Sequence, residues 1–185
     1  MSRSAGFAPP QPGLRPWPLR LVTILLACVA TAAAAQAMDE YGLRAAMVYN
    51  LVRFVEWPAG LTTGPDLDLC VVSGNLGQIG AFTALVGKPV RNLVLRVHRR
   101  GPLAALDDCH AIYFDDLGAD LLADKLTAVA GRPVLTLSSS PGSGAMIDLA
   151  LADQRLVFDV HAPALRGAGL NLAARVLQLA RTVHR

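Results

Sequence analysis

The chain has 185 residues, of which 53% are hydrophobic and 17% charged, with a formal net charge of +3. The excess is local: Arg3, Arg15 and Arg20 precede Met38, and beyond that point fourteen basic residues face fourteen acidic ones. An electrically even body argues against a reader of nucleic acid or of anionic membranes, since both need a basic face.

Residues 1–37 have the layout of an export signal. The three arginines form a basic start, Leu19 to Ala35 is apolar apart from Arg20 and threonines, and Ala35-Gln36-Ala37 is a small-x-small cleavage site. The apolar run is short for a membrane span. Leu25-Leu26-Ala27-Cys28 approximates a lipoprotein box that would acylate Cys28, but the run continues past the cysteine without a polar tether. Cleavage after Ala37 is therefore the preferred reading, and residues 38–185 then form one domain of 148 residues, enough for a sizeable core. Cys28 leaves with the signal, and the remaining pair, Cys70 and Cys109, is expected to form a disulfide in an oxidising compartment, the alternative being two buried thiols that never meet.

From Asp39 to Pro58 the spacing predicts a helix. Leu43, Ala46, Met47, Asn50, Leu51, Phe54 and Val55 recur at three- and four-residue steps, Asp39 can cap the start, and Pro58 should stop the helix at Trp57. Leu67 to Ser73 reads as a buried strand, Gln78 to Leu85 as a short helix, and Gly87-Lys88-Pro89 as a turn. Leu93 to His98 and Cys109 to Phe114 are the next strands; Leu117 to Ala130 has helical spacing, and Pro133 to Ser138 is another strand. Ala145 to Leu151 and Arg155 to Val160, separated by Ala152-Asp153-Gln154, predict an antiparallel hairpin at the sheet edge. A closing helix from about Asn171 to His184 would bury Leu172, Val176, Leu179 and Val183. Strands alternating with helices predict an α/β fold: a layered single domain with a largely parallel central sheet, an antiparallel C-terminal hairpin and flanking helices.

Chemical motifs are sparse. Gly74-Asn75-Leu76-Gly77-Gln78-Ile79-Gly80 follows a strand and opens a helix, a context in which amides cradle phosphate, but the glycine spacing is not the dinucleotide fingerprint. His98, His110, His161 and His184 lack metal-ligand spacing. The Ser138 to Gly144 loop is rich in hydroxyls without the strand, Gly-x-Ser-x-Gly and helix order of a nucleophile elbow. Glu56 and the pair Asp115-Asp116 could serve as acid and base only if the fold brought them together. No catalytic residue, metal site or cofactor is expected.

The first helix ends in the pattern Tyr49-Asn50-x-x-Arg53-Phe54-x-x-Trp57-Pro58, which resembles the opening signature of the YfiR-like family of bacterial periplasmic proteins. Later blocks fall in the family's order: Cys109-His110-x-Ile112-x-Phe114, Pro133 to Ser138, Met146-Ile147, Gly169-Leu170, and Leu177 with Leu179-Ala180. Ser139 stands where an acidic residue is usual, His161 where asparagine is common and Ala173 where serine is frequent. The resemblance implies a periplasmic protein, not an enzyme, that binds the periplasmic part of a membrane diguanylate cyclase and restrains it, lowering cyclic di-GMP. It also implies that Cys70 and Cys109 are the cysteine pair common in the family. Trp57 and Pro58, with Glu56 beside them, are the candidate partner-binding residues, although closing the core is the preferred reading of the Trp57 ring. A homodimer is a further option for the assembly. A small-ligand sensor using the loops at Gly74 to Gly80 and Ser138 to Gly144 is the alternative function.

Overall fold

The structure is a computed structural model, and it describes residues 40–61 and 64–185. The export signal, the lipoprotein box at Cys28 and the cap at Asp39 lie outside those residues. The elements run α1 (40–54), β1 (Val55–Glu56), β2 (Asp66–Val72), α2 (Leu76–Thr83), β3 (Pro89–Val90), β4 (Leu93–Arg100), β5 (Ala111–Phe114), α3 (Ala119–Ala128), β6 (Leu135–Ser138), β7 (Ile147–Ala152), β8 (Arg155–His161), α4 (Ala162–Gly167), β9 (Asn171–Leu172), α5 (Ala174–Leu177) and β10 (Thr182–His184). The fold is a mixed α/β domain around an eight-stranded sheet of order β10-β8-β7-β6-β5-β2-β4-β3. Strands β4, β2, β5, β6 and β7 pair in parallel, and β7 with β8 forms the antiparallel hairpin.

Both faces of the sheet are covered, which is why the central strands read as unbroken apolar runs rather than alternating ones. Period two distributes them: Leu67, Leu69, Val71 and Tyr113 join one core with Val48 and Val52 of α1 and Phe82 of α2. Cys70, Val72, Ile112 and Phe114 join a second core with Leu122 of α3. The helix following β2 and the helix following β5 therefore lie on opposite faces.

Helix α1 departs from the expected register in two ways. Its buried line is Ala45, Val48, Leu51, Val52 and Val55, whereas Leu43 is 47% exposed and Ala46 and Asn50 face solvent. Apolar residues stand nearly all round this helix, so two stripes satisfy the same spacing and tertiary packing selects one. The helix also ends before Trp57, because Val55 and Glu56 are drawn into antiparallel pairing with Leu172 and Asn171 of β9, and the Ala173 N–H donates to the Phe54 carbonyl.

The C-terminal segment is not the predicted helix. Leu172 pairs in β9, α5 is a single turn, and Thr182 to His184 form an edge strand parallel to Asp159 to His161 of β8. The Leu172 and Val176 positions are buried as expected, but Leu179 is exposed; β-branched Thr182 and Val183 suit the strand that replaces the helix. The hairpin is consequently not at the edge, since β10 covers β8. Its turn is Asp153-Gln154, both with positive φ (47° and 61°), as a type I′ turn needs. Helix α4, which the periodicity did not predict, starts with a proline in its first turn, where the missing N–H costs nothing.

Strand β10 is locked by Arg181, whose guanidinium donates to both carboxylate oxygens of Asp159. That hydrogen bonding, with burial opposing it, holds the Asp159 carboxyl below its ordinary value of 3.8. A depressed folded pKa gives stability that is present above the unfolded value and lost as pH falls through the folded one. Asp159→Asn should thus lower the melting temperature at pH 7, and the gap to wild type should close towards pH 3. Melting curves of both proteins across that range check this; a gap that is unchanged at pH 3 would show that the carboxylate charge is not the cause.

Candidate functional site

Two regions gather polar or aromatic side chains. The first surrounds the end of α1. Phe54 is half-buried, with the Arg175 guanidinium 4.5 Å above its ring and Arg53 at 5.9 Å. Arg53 also lies 5.4 Å from the Tyr49 ring, whose far environment includes Lys88 at 5.5 Å. Tyr49 donates its hydroxyl to the Pro89 carbonyl at 2.7 Å, pinning α1 to the start of β3. A groove of about 650 Å3 runs beside these residues, lined by Arg53, Phe54, Glu56, Arg91 and Arg175. Three arginines against one glutamate make it locally cationic in a protein whose body is even in charge.

Of the proposed partner residues, Glu56 lines this groove. Glu56 is exposed on β1. Pro58 is half-buried against Gly169, whose φ of +70° requires glycine and where a Cβ would stand 3.5 Å from the proline ring. Trp57 is half-buried, packs on the main core and has its indole N–H enclosed without a hydrogen-bond partner. Its ring serves the core.

The second region is a crevice of about 540 Å3 at the carboxyl ends of β2, β5 and β6, closed on one side by the first turns of α1. Asn75 caps α2 by accepting from the Gly77 and Gln78 amides at 2.9 and 3.2 Å. The helix start weighed as a phosphate cradle, with a plain strand-to-helix turn preferred, is thus satisfied by its own side chain. Gly77 is needed because a Cβ would stand 2.7 Å from the Tyr41 ring. Asp115 is buried and accepts from Ser73 Oγ at 2.7 Å. Beneath it Tyr113 is wholly buried, and burial, then the neighbouring Asp115 carboxylate, pushes its phenol well above the ordinary range. Arg44 donates from Nε and Nη2 to Glu40 Oε1 at 3.0 and 2.7 Å. Burial lowers the Arg44 pKa and the Glu40 hydrogen bond raises it, with a net upward direction, so the guanidinium stays charged.

Glu56 and Asp115-Asp116 occupy different regions, so the fold does not assemble them into an acid-base pair. Cys70 and Cys109 are joined in a disulfide with their Cα atoms 5.8 Å apart. It sits among apolar side chains of the second core. Asp108 lies close to both sulfurs, but sulfurs bonded to each other are not the thiolates a metal would need. Next to the bridge, His110 Nδ1 accepts from the Asp68 amide at 3.0 Å, and Asp68 meets His98 Nε2 at 2.7 Å, leaving the imidazoles engaged within the sheet.

A family model described as YfiR/HmsC-like matches residues 41–181, nearly all of the described domain. The chain belongs to the YfiR/HmsC-like family. No curated protein matches it. Within this YfiR/HmsC-like domain, Arg53 and Phe54 of the signature line the groove at the end of α1, Tyr49 contacts Arg53 beside it, and Trp57 and Pro58 pack on the core and on Gly169. Arg91 and Arg175, which complete the groove, carry no local motif and are not legible in the sequence. Arg44 of the crevice escapes sequence reasoning for the same reason, Gln78 stands out only as part of the Gly74 to Gly80 segment, and Asp115 only as one of an acidic pair.

Proposed function

We propose that this protein is an exported, periplasmic regulator that binds the periplasmic region of a membrane diguanylate cyclase and restrains it, without catalysis of its own. Residues 1–37 serve as its cleaved export signal and 38–185 as the regulatory domain. The observation that carries the reading is the family match over residues 41–181. It is supported by the clustering of Phe54 and Glu56 with Arg53, Arg91 and Arg175, which offers an aromatic ring and cations on one surface, with Trp57 and Pro58 next to Glu56 in the chain as the further partner residues. A partner that fits this surface presents apolar side chains flanked by carboxylates, so the complex should weaken as salt rises. Among the described residues no helix is long and apolar enough to cross a membrane, which is compatible with release after export.

Deleting the gene should raise cellular cyclic di-GMP and promote biofilm growth, and the purified protein should capture the periplasmic region of a cyclase encoded beside it. An unchanged cyclic di-GMP level with that cyclase present and expressed would reject the reading.

A further inference from the structure

The crevice at the strand ends is not used by the partner surface, and its construction calls for a ligand. Its position is the first reason. The connection after β2 crosses one face of the sheet and that after β5 crosses the other, so the gap between these neighbouring parallel strands is a topological switch point, where α/β sheets bind small molecules outside their carboxyl ends. Gly74 and Asn75 follow β2, Asp115 and Asp116 follow β5, and Ser139 follows β6, so all three strand ends open into it.

The second reason is unmet hydrogen bonding. Gln78 is 0% exposed and lines the crevice; its Nε2 donates to the Tyr41 carbonyl at 3.3 Å, which fixes the amide's orientation, while Oε1 has no partner. Arg44, also in the lining, uses Nε and Nη2 on Glu40; its enclosed Nη1 makes no hydrogen bond of good geometry, although the buried Tyr113 hydroxyl is near enough to act on the guanidinium. An orphaned acceptor and an orphaned donor in one cavity each cost free energy until a group supplies the complement.

The third reason is charge, which selects among ligands. Glu40, Asp115 and Asp116 oppose Arg44 alone, an excess of two negative charges. A ligand carboxylate would meet that field and compete with Glu40 for Arg44. An amine relieves it and can donate to Gln78 Oε1 and the Asp115 carboxylate, while a hydroxyl can accept from Arg44 Nη1. We propose that the crevice between Arg44, Gln78 and Asp115 is a binding site for a small hydroxylated amine, of the amino-sugar or amino-alcohol class. Its polar walls and roughly 540 Å3 suit a water-soluble molecule of one sugar ring.

The test is calorimetric titration of the full exported protein, disulfide intact, with glucosamine and ethanolamine, alongside glucose and gluconate as neutral and anionic controls. Saturable one-to-one binding of at least one amine is expected, with each control at least about tenfold weaker, the worth of one charge-assisted hydrogen bond. Asp115→Asn should weaken amine binding about tenfold. Asp116→Asn guards against misfolding as the cause: the residue is exposed with φ of 51°, a conformation asparagine tolerates, and its loss should weaken binding about twofold to fivefold. Absence of saturable binding by either amine, glucose binding equal to glucosamine, or amine affinity unchanged in both variants would each overturn the proposal. Because the readout is binding alone, it stands or falls separately from any effect on a cyclase.

Discussion

Replacing Cys70 and Cys109 together should lower the free energy of unfolding by about 4 kcal/mol in the chain-entropy account, because the bridge closes a loop of 39 residues. The bond joins β2 to the residues just before β5, strands already paired in register from Leu69 with Ala111 onwards, so the native state loses little geometry when the bridge is cut. The effect is expected chiefly through the unfolded chain. Serine at both sites adds a further cost, since Cys70 lies wholly buried among Val72, Ile112 and Phe114 and a hydroxyl there finds apolar neighbours. An alanine pair leaves that cost out, though it opens a small cavity. Urea unfolding of the oxidised protein, the reduced protein and both double variants separates the contributions. A loss below about 1 kcal/mol in all three would mean the bridge is not a major stabiliser. Mass spectrometry of protein extracted from the periplasm without reductant should show the two cysteines linked.

Trp57→Ala should release the cyclase from restraint and at the same time destabilise the domain by about 2 kcal/mol, less than the roughly 3 to 5 kcal/mol lost when a fully buried tryptophan is truncated, because this ring is only half-buried. Trp57→Phe is the sharper probe. The indole N–H is enclosed and has no partner within the chain, so phenylalanine removes an idle donor together with part of the ring's packing on the core. Its melting temperature should fall less than that of Trp57→Ala. If the ring meets the partner, restraint falls in Trp57→Phe by more than the accompanying loss of stability explains. Full restraint in both variants would remove Trp57 from the partner surface.

The strands of the central sheet are legible in the sequence because burial on both faces produces continuous apolar runs of strand length, bounded by turn residues. Leu67 to Ser73 and Pro133 to Ser138 are each found within a residue or two of the expected bounds. The face of α1 is not legible: Leu43 and Ala46 are as apolar as Ala45 and Val48, and only the packing distinguishes them. The end of the chain misleads because its spacing at Leu172, Val176 and Leu179 suits a helix, while long-range pairing with β1 and β8 decides otherwise. The groove and crevice share this limit. Arg91, Arg175 and Arg44 have no neighbours in sequence that mark them, whereas Gln78 lies in the Gly74 to Gly80 segment that the sequence does mark; each acquires its meaning from residues 30 or more positions away.

The borders of the large sheet restrict how a second chain could attach. One border is β10, three residues long; the other is β3, two residues long and begun by Pro89, which has no N–H to give. Past β3 the outer rim of β4 continues over Arg96, Val97, His98, Arg99 and Arg100, and among the described residues no strand pairs with it there. A polypeptide laid along that rim would have to strip water from four ionisable side chains to gain a few main-chain hydrogen bonds, three of them already engaged with Asp66, Asp68 and Asp108. Adding a foreign strand is therefore a poor route to complex formation, whether the newcomer is another protein or a second copy of this one. Recognition is left to side chains that stand clear of the sheet, and copies of the domain can accumulate at high concentration without zipping together edge to edge.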